Sequence, residues 1–311
     1  MATGLAEWIR WPTLDHRGGK GESVSATQLL TLLFNAGVAV SVLATVLSLG
    51  MTFTIRQLVA PLRRIVVVLA IVVLNVVVIP AIAWGLAALS PMDDKYVPGL
   101  VLAAVGTGSA GSLKAAQLTR RADLPLGVAV VILLQLVNIA AVPIWAGQVV
   151  TGATISAWDI VKNLLVLVLL PLGIGLIIRA RYAEHADRWQ NDLVKVANVA
   201  LAIAFTTGIA GNWSTLVNMF GSWVFVIALL IVLIAGGLGL LVGLRNAEVR
   251  TVAGFVSGMR FTSLGLIIIG TQLDGDPTYL APAITFALVD FVVPLAVAVE
   301  IGHRARPNTA A

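Results

Sequence analysis

The chain has 311 residues, of which 59% are hydrophobic and 11% charged, with a mean hydropathy of +0.99 and no cysteine. Soluble domains carry about 25% charged residues, so this composition excludes a water-soluble globular protein and points to a polytopic membrane protein. The formal charge of +5 would suit nucleic acid, but almost all Lys and Arg residues fall in short loops between apolar runs, so no nucleic-acid partner is expected.

Residues 1–28 read as an N-terminal tail, with Trp8, Ile9 and Trp11 suited to a membrane interface or to a disordered tail. No apolar core of secretory-signal length precedes residue 29, so no cleaved leader is expected. Nine apolar runs then follow, near 29–54, 65–89, 97–119, 124–147, 159–179, 193–213, 222–244, 249–272 and 279–301. As helices, each is long enough to cross a hydrocarbon core of about 30 Å. The alternating pattern of a membrane β-barrel is missing, and runs such as Ile65 to Val73 favour helices. The membrane domain is placed at 29–303 and a short tail at 304–311.

Prolines at 80, 143, 171 and 294 fit kinked helices that still span, because neighbouring helices can re-satisfy the freed carbonyls. The run Gly236, Gly237, Gly239 and Gly243 predicts close helix packing in the seventh span. Alternate loops carry the positive charge: Arg56, Arg63, Arg64; Arg120, Arg121; Arg179, Arg181, Arg188; Arg245, Arg250; and Arg304, Arg306. The intervening connections hold only Lys95, beside Asp93 and Asp94, or no Lys or Arg at all. By the positive-inside rule the C-terminus is cytoplasmic and the N-terminus outside, in an integral multi-pass protein of the plasma (inner) membrane. Arg10, Arg17 and Lys20 in the N-terminal tail run against that placement.

Two spans are interrupted by small polar residues, Gly106-Thr107-Gly108-Ser109-Ala110-Gly111-Ser112-Leu113-Lys114 and Gly254-Phe255-Val256-Ser257-Gly258-Met259-Arg260-Phe261-Thr262-Ser263. A matching pair of broken hydrophobic segments is the sequence pointer to a transporter's binding site. The interrupted span is next to last both in the four spans before residue 148 and in the five after residue 158. This spacing predicts inverted five-helix repeats with the first helix of the first copy missing.

Arg260 lies eleven residues past position 249, which at 1.5 Å per residue puts it about 16 Å deep. A guanidinium at the midplane needs an anionic partner or a wet cavity. Asp290 is at similar depth in the next span, so one reading is a structural Arg260–Asp290 ion pair, and the other places Arg260 in a binding or coupling site with Asp290 as counter-ion. Lys114 is nearer the cytoplasmic end, where snorkelling also explains it. The formal positive excess of Lys114, Arg260 and Asp290 calls for an anion. Asn75, Gln135 and Asn138 are intramembrane amides, for which helix-to-helix bonding is the commoner role. Asp159 and Lys162 read as a rim pair and Glu300 as solvated. No nucleotide loop, metal cluster or catalytic triad is recognisable, so no enzyme and no cofactor is expected.

The arrangement from about residue 44 to 301 resembles the bile acid:sodium symporter family. Leu47-Ser48-Leu49-Gly50-Met51-Thr52 followed by Arg63-Arg64 is similar to its LGM-type segment and basic loop. Asn75, five residues before Pro80, falls where the family has Gln before Pro. Gly106 to Asp123 is similar to its first broken helix and the turn after it, and Val256-Ser257-Gly258-Met259-Arg260-Phe261 aligns with its E-x-G-x-Q-N signature.

The resemblance implies two crossing broken helices in a core of spans two to four and seven to nine (near 65–147 and 222–301), beside a panel of spans one, five and six (near 29–54, 159–179 and 193–213). It also implies secondary transport of organic anions, typically with sodium, in a lipid bilayer. Here the sodium-ligand Glu, Gln and Asn correspond to Val256, Arg260 and Phe261, a Ser-Asn pair corresponds to Ser112-Leu113, and further Ser and Thr ligands correspond to Gly127 and Val131. The expected function is therefore sodium-independent transport of a small organic anion by export or exchange. Expected substrate contacts are Arg260, Lys114, Ser112, Ser257, Asn75 and Thr262, with Asp290 for coupling or counter-charge and no metal. The alternatives are a sodium- or proton-coupled symporter of bile-acid-like anions, or a membrane sensor or scaffold. A retinylidene photoreceptor would use Lys114 as Schiff base, and an arsenite exporter is disfavoured by the lack of Cys.

Overall fold

The structure is a computed structural model that describes residues 26–52, 54, 63–150, 156–211, 213–243 and 246–304. The tail aromatics Trp8 and Trp11, the tail cations Arg10, Arg17 and Lys20, and Arg56, Arg245 and Arg306 lie outside the described residues. The helices are α1 (Ala26–Gly50), α2 (Ile65–Leu89), α3 (Val97–Val105), α4 (Ala110–Leu118), α5 (Leu124–Val149), α6 (Ala157–Arg181), α7 (Ala183–Gly211), α8 (Trp213–Asn218), α9 (Val224–Val242), α10 (Ala247–Gly258), α11 (Ser263–Gln272) and α12 (Pro277–Arg304). No strand occurs among the described residues.

Eight of these segments, with α10 and α11 counted together, are long and apolar enough to cross a membrane. The pair α3–α4, bent by 67°, makes a ninth. The protein is thus an all-α, multi-pass integral membrane protein. One boundary differs from the sequence reading: α7 starts at Ala183, not near 193. Its first residues, Ala183 to Asp192, are too polar to score as a span, but this does not stop them continuing the helix, and Arg179 ties the start of α7 to α6 through Asp187 at 2.5 Å.

Close backbone approaches set the packing. A Cβ on Gly50 would lie 2.5 Å from the Leu172 carbonyl oxygen, and one on Gly175 would run into that of Leu47, so α1 and α6 meet where neither has a side chain. The glycine run in α9 does what its composition predicts: Gly239 and Gly243 lie against the backbone of α10 at Ala253 and Arg250. Asp159 and Lys162 pair at 2.5 Å as the rim reading expects, and Glu300 is exposed to solvent as expected while it meets Arg304 at 2.6 Å. In the polar turn before α3, Lys95 meets Asp93 at 2.6 Å, and its hydrogen bond holds the Asp93 carboxyl below the usual carboxylate range.

The two broken spans meet in opposite directions. Gly265 of α11 lies against Leu102 of α3, Gly106 against Phe261, and Gly111 of α4 against Met259. The first break covers Gly106–Ser109, where Gly108 has a φ of +75°, a left-handed conformation natural to glycine. The second covers Met259–Thr262. The breaks are bonded directly, the Phe261 N–H donating to the Gly106 carbonyl at 3.0 Å.

Candidate functional site

The site begins with Pro80. Having no N–H, it leaves the Val76 carbonyl without its usual intrahelical donor. Just before it, Leu74–Val78 form a π-helical turn in which the Ile79 N–H donates to Leu74 rather than to Asn75. Two adjacent carbonyls of α2 are therefore free inside the membrane, where such groups must find a partner. The Trp145 indole of α5 donates to the Val76 oxygen at 2.8 Å. Arg260 donates to the Asn75 oxygen from Nη2 at 2.9 Å.

Arg260 is only 2% exposed. Its other donors reach further freed acceptors: Nε to the Ala104 carbonyl at 2.6 Å, Nη2 to that of Val105 at 3.3 Å, and Nη1 to the Asn75 Oδ1 at 2.8 Å. Ala104 and Val105 are the last residues of α3, whose carbonyls lose their helical donors at the break. The guanidinium thus sits in a cage of three backbone carbonyls and one amide oxygen. Asn75 donates in turn to the Ile71 carbonyl and to Ser257 Oγ, both at 2.9 Å. Asp290, 3% exposed, accepts the Arg260 backbone N–H at 2.8 Å and so caps the second break. The hydrogen bonds of the guanidinium itself go to α2 and α3, and the link to Asp290 runs through the main chain.

The first break is held by neutral groups. Asn138 Oδ1 accepts from Thr107 Oγ1 at 2.7 Å and Thr107 N at 3.3 Å, while its Nδ2 donates to the Thr107 carbonyl at 2.8 Å. One turn earlier on α5, Gln135 Nε2 donates to the Gly108 carbonyl at 2.8 Å, and its buried Oε1 has no partner. Ser109 caps α4 by accepting from Gly111 N at 3.2 Å, and Ser112 donates back to the Ser109 carbonyl at 2.6 Å.

Of the residues singled out in the sequence, Arg260, Asn75, Ser257 and Asp290 come together in one buried network. Ser112 belongs to the first turn of α4, and Thr262 stands at the start of α11 with no capping bond from its side chain. Lys114 lies on the exposed face of α4 and has no ion pair among the described residues. Thr107 and Trp145 were not singled out in advance. Trp145 carries a signal only in hindsight, as an indole donor facing a proline-freed carbonyl. No group of three or more potential metal-ligating His, Cys, Asp or Glu side chains is found among the described residues.

The model of the Sodium Bile acid symporter family matches residues 39–229, well over half of the chain. The chain belongs to that family, whose members are membrane transporters and not enzymes. Membership makes it a transporter of the organic-anion or bile-acid class. No curated protein matches it.

Proposed function

We propose that this protein moves a small organic anion without sodium, and that the Arg260 guanidinium holds the place that a mobile cation would otherwise take. The observation that carries this reading is the oxygen cage itself, whose three carbonyls and one amide oxygen accept hydrogen bonds from a tethered cation. A second cation at the same oxygens would meet a fixed like charge with little water to screen it. The other positions at which the family resemblance implies sodium ligands support the same reading. Val256, Phe261 and Leu113 are buried apolar side chains, and Leu113 packs on Gly127. Sodium does not fit this donor set.

In this reading, Lys114 supplies the charge that meets the anion, with Ser112 and Thr262 flanking the breaks. Arg260, Asn75 and Ser257 hold the crossing in shape, and Asp290 balances the charge. Spans two to four and seven to nine form the core, α1, α6 and α7 form the panel, and the C-terminus faces the cytoplasm of a plasma (inner) membrane. A potential of 100 mV, inside negative, opposes uptake of a monovalent anion by about 2.3 kcal/mol, roughly a 50-fold gradient. Without sodium to overcome this, export or exchange follows.

The test is a thermal-shift screen of carboxylates, sulfonates and bile salts, with and without sodium, followed by flux in liposomes. Ligands that bind the folded state raise its stability. Replacing sodium by choline at constant ionic strength is expected to leave both stabilisation and flux unchanged, and inside-negative potential or external anion to accelerate efflux. A steep, saturable sodium dependence would overturn the proposal. Concentrative uptake driven by an inward proton gradient and lost in Asp290→Asn would replace export by proton symport.

A further inference from the structure

Helices α2 and α6 share one local design. In each, a π-helical turn is followed by a proline at the same spacing: Leu74–Val78 then Pro80 in α2, Leu165–Leu169 then Pro171 in α6. In α6 the Leu170 N–H donates to Leu165 rather than to Val166, and Pro171 has no N–H to give to Leu167. The carbonyls of Val166 and Leu167 are freed as those of Asn75 and Val76 are. The outcomes differ. Arg260 and Trp145 fill the α2 pair, whereas among the described residues no donor from another helix reaches the α6 pair. Lipid tails carry no donor, so freed carbonyls in a span call for a protein partner.

Val166 and Leu170 are 42% and 59% exposed, so the freed pair opens toward the lipid-facing side of α6. Two turns along the same face, a Cβ on Gly173 would meet nothing within 4 Å, which leaves room for a neighbouring helix. The matching donor is on α7. Asn198 is exposed in mid-span among Val196, Val199 and Ile203, and its side chain makes no hydrogen bond among the described residues. The other amides without cross-helix bonds are placed differently: Asn163 is half-buried, and Gln117 lies three residues from Arg120 at a polar helix end. Val166 stands sixteen residues before the corner at Tyr182 and Asn198 sixteen after it. At 1.5 Å per residue, both are about 24 Å along their helices from that corner. Donor and acceptors thus share one depth. Within one copy, however, α1 packs on both helices, Gly37 against Ala200 of α7 and Gly50 against Gly175 of α6, and Asn198 donates to neither carbonyl.

We propose that the outer face of α6 and α7 is a homodimer interface, in which Asn198 of each copy donates to the freed Val166 and Leu167 carbonyls of the other. A two-fold axis along the membrane normal preserves depth and makes the contact reciprocal, so both freed pairs are filled at once.

The test counts copies of the full chain, each fused to one fluorescent protein, by single-molecule photobleaching in liposomes over a series of protein-to-lipid ratios. The unmodified protein is expected to bleach in two steps. Asn198→Leu, which suits a lipid-facing position, is expected to lower the association constant by about tenfold, the loss of two interhelical hydrogen bonds. Pro171→Ala restores an N–H for Leu167 and is expected to weaken association by about threefold. Gln117→Leu, off the interface, is expected to change nothing. Because the chain has no Cys, a second measurement uses single thiols. Val166→Cys chains reconstituted together with differently tagged Asn198→Cys chains are expected to form a mixed covalent dimer with copper phenanthroline, and Val166→Cys with Gln117→Cys chains are not. The proposal is overturned if the unmodified protein bleaches in one step, if Asn198→Leu leaves association unchanged or Gln117→Leu weakens it equally, or if the Val166→Cys and Asn198→Cys chains do not cross-link.

Discussion

The two breaks at the centre of this protein are held together by different chemistry. At Gly106–Ser109, neutral amides of α5 satisfy the exposed backbone, Asn138 at Thr107 and Gln135 at Gly108. At Met259–Thr262, the backbone is capped by the Asp290 carboxylate, and the side chain that leaves the break is a guanidinium bound to carbonyls of α2 and α3. The first break mainly offers acceptors, and the second supplies the donor that fills them. One charged residue therefore joins three helical segments, whereas the loss of either amide would loosen only one.

This difference predicts a hierarchy. Arg260→Ala strands three carbonyls and an amide oxygen in the membrane and leaves Asp290 without its neighbouring charge. Removing one partner of a buried charged network typically costs about 3–5 kcal/mol. The variant is expected to show the largest loss of thermal stability in the set and no anion flux. Arg260→Gln is not expected to restore either, since one amide cannot reach four acceptors. A stable, fully active Arg260→Ala protein would remove the guanidinium cage from any account of this site.

Asp290→Asn comes next. The amide oxygen can still accept the Arg260 N–H, so the cap survives while the negative charge does not. Hydrogen bonds to charged groups are worth about 1.5–3 kcal/mol against about 1 for neutral ones, so a destabilisation of about 1–2 kcal/mol is expected, less than for Arg260→Ala. A loss as large as that of Arg260→Ala would show that the charge pairing, and not the cap, holds the second break.

Much of this was legible in the sequence, and the reasons differ by residue. The spans were readable because 20 or so apolar residues have few alternatives to a membrane helix. Arg260 and Asp290 stood out by depth, and the two breaks by their Gly, Ser and Thr content. The cage was not legible because its walls are backbone carbonyls, which every residue has. Pro80 signals that Val76 lacks its donor, but the π-helical turn that also frees Asn75 leaves no mark in the residue pattern. Depth alone suggested that Arg260 would turn its guanidinium to Asp290; instead, the freed carbonyls take it.

At the first break, Asn138→Ala is expected to lower stability without abolishing flux, unlike Arg260→Ala. It leaves both main-chain groups of Thr107 short of their partner, at about 1–3 kcal/mol for each buried group left unpaired, while the hydroxyl keeps the Leu134 carbonyl at 3.5 Å. Water reaching the half-buried Ser109 and Ala110 end of the break would reduce that loss. The expected signature is lowered thermal stability with some flux retained, and with hydrogen exchange raised at residues 106–109 but not at 259–262. Equal exchange at both breaks would mean that they open as one unit.

The smallest effect is expected at Gln135. Its Nε2 makes one good bond to the Gly108 carbonyl, but its Oε1 is buried with nothing to accept, so the residue stabilises and destabilises at once. Gln135→Met keeps the length of the side chain and removes both groups. It gives up a neutral hydrogen bond worth about 1 kcal/mol and relieves an unpaired acceptor whose burial costs a comparable amount. The net change should fall within about 1 kcal/mol of zero, much less than for Asn138→Ala three residues away on the same helix. Gln135→Glu makes the opposite test, because a carboxylate there would turn an orphan oxygen into a buried charge facing the Gly108 carbonyl. That variant should be far less stable than Gln135→Met. If Gln135→Met is instead as damaging as Asn138→Ala, the orphan oxygen has a partner that holds it, and the first break is bound by more than its two amides.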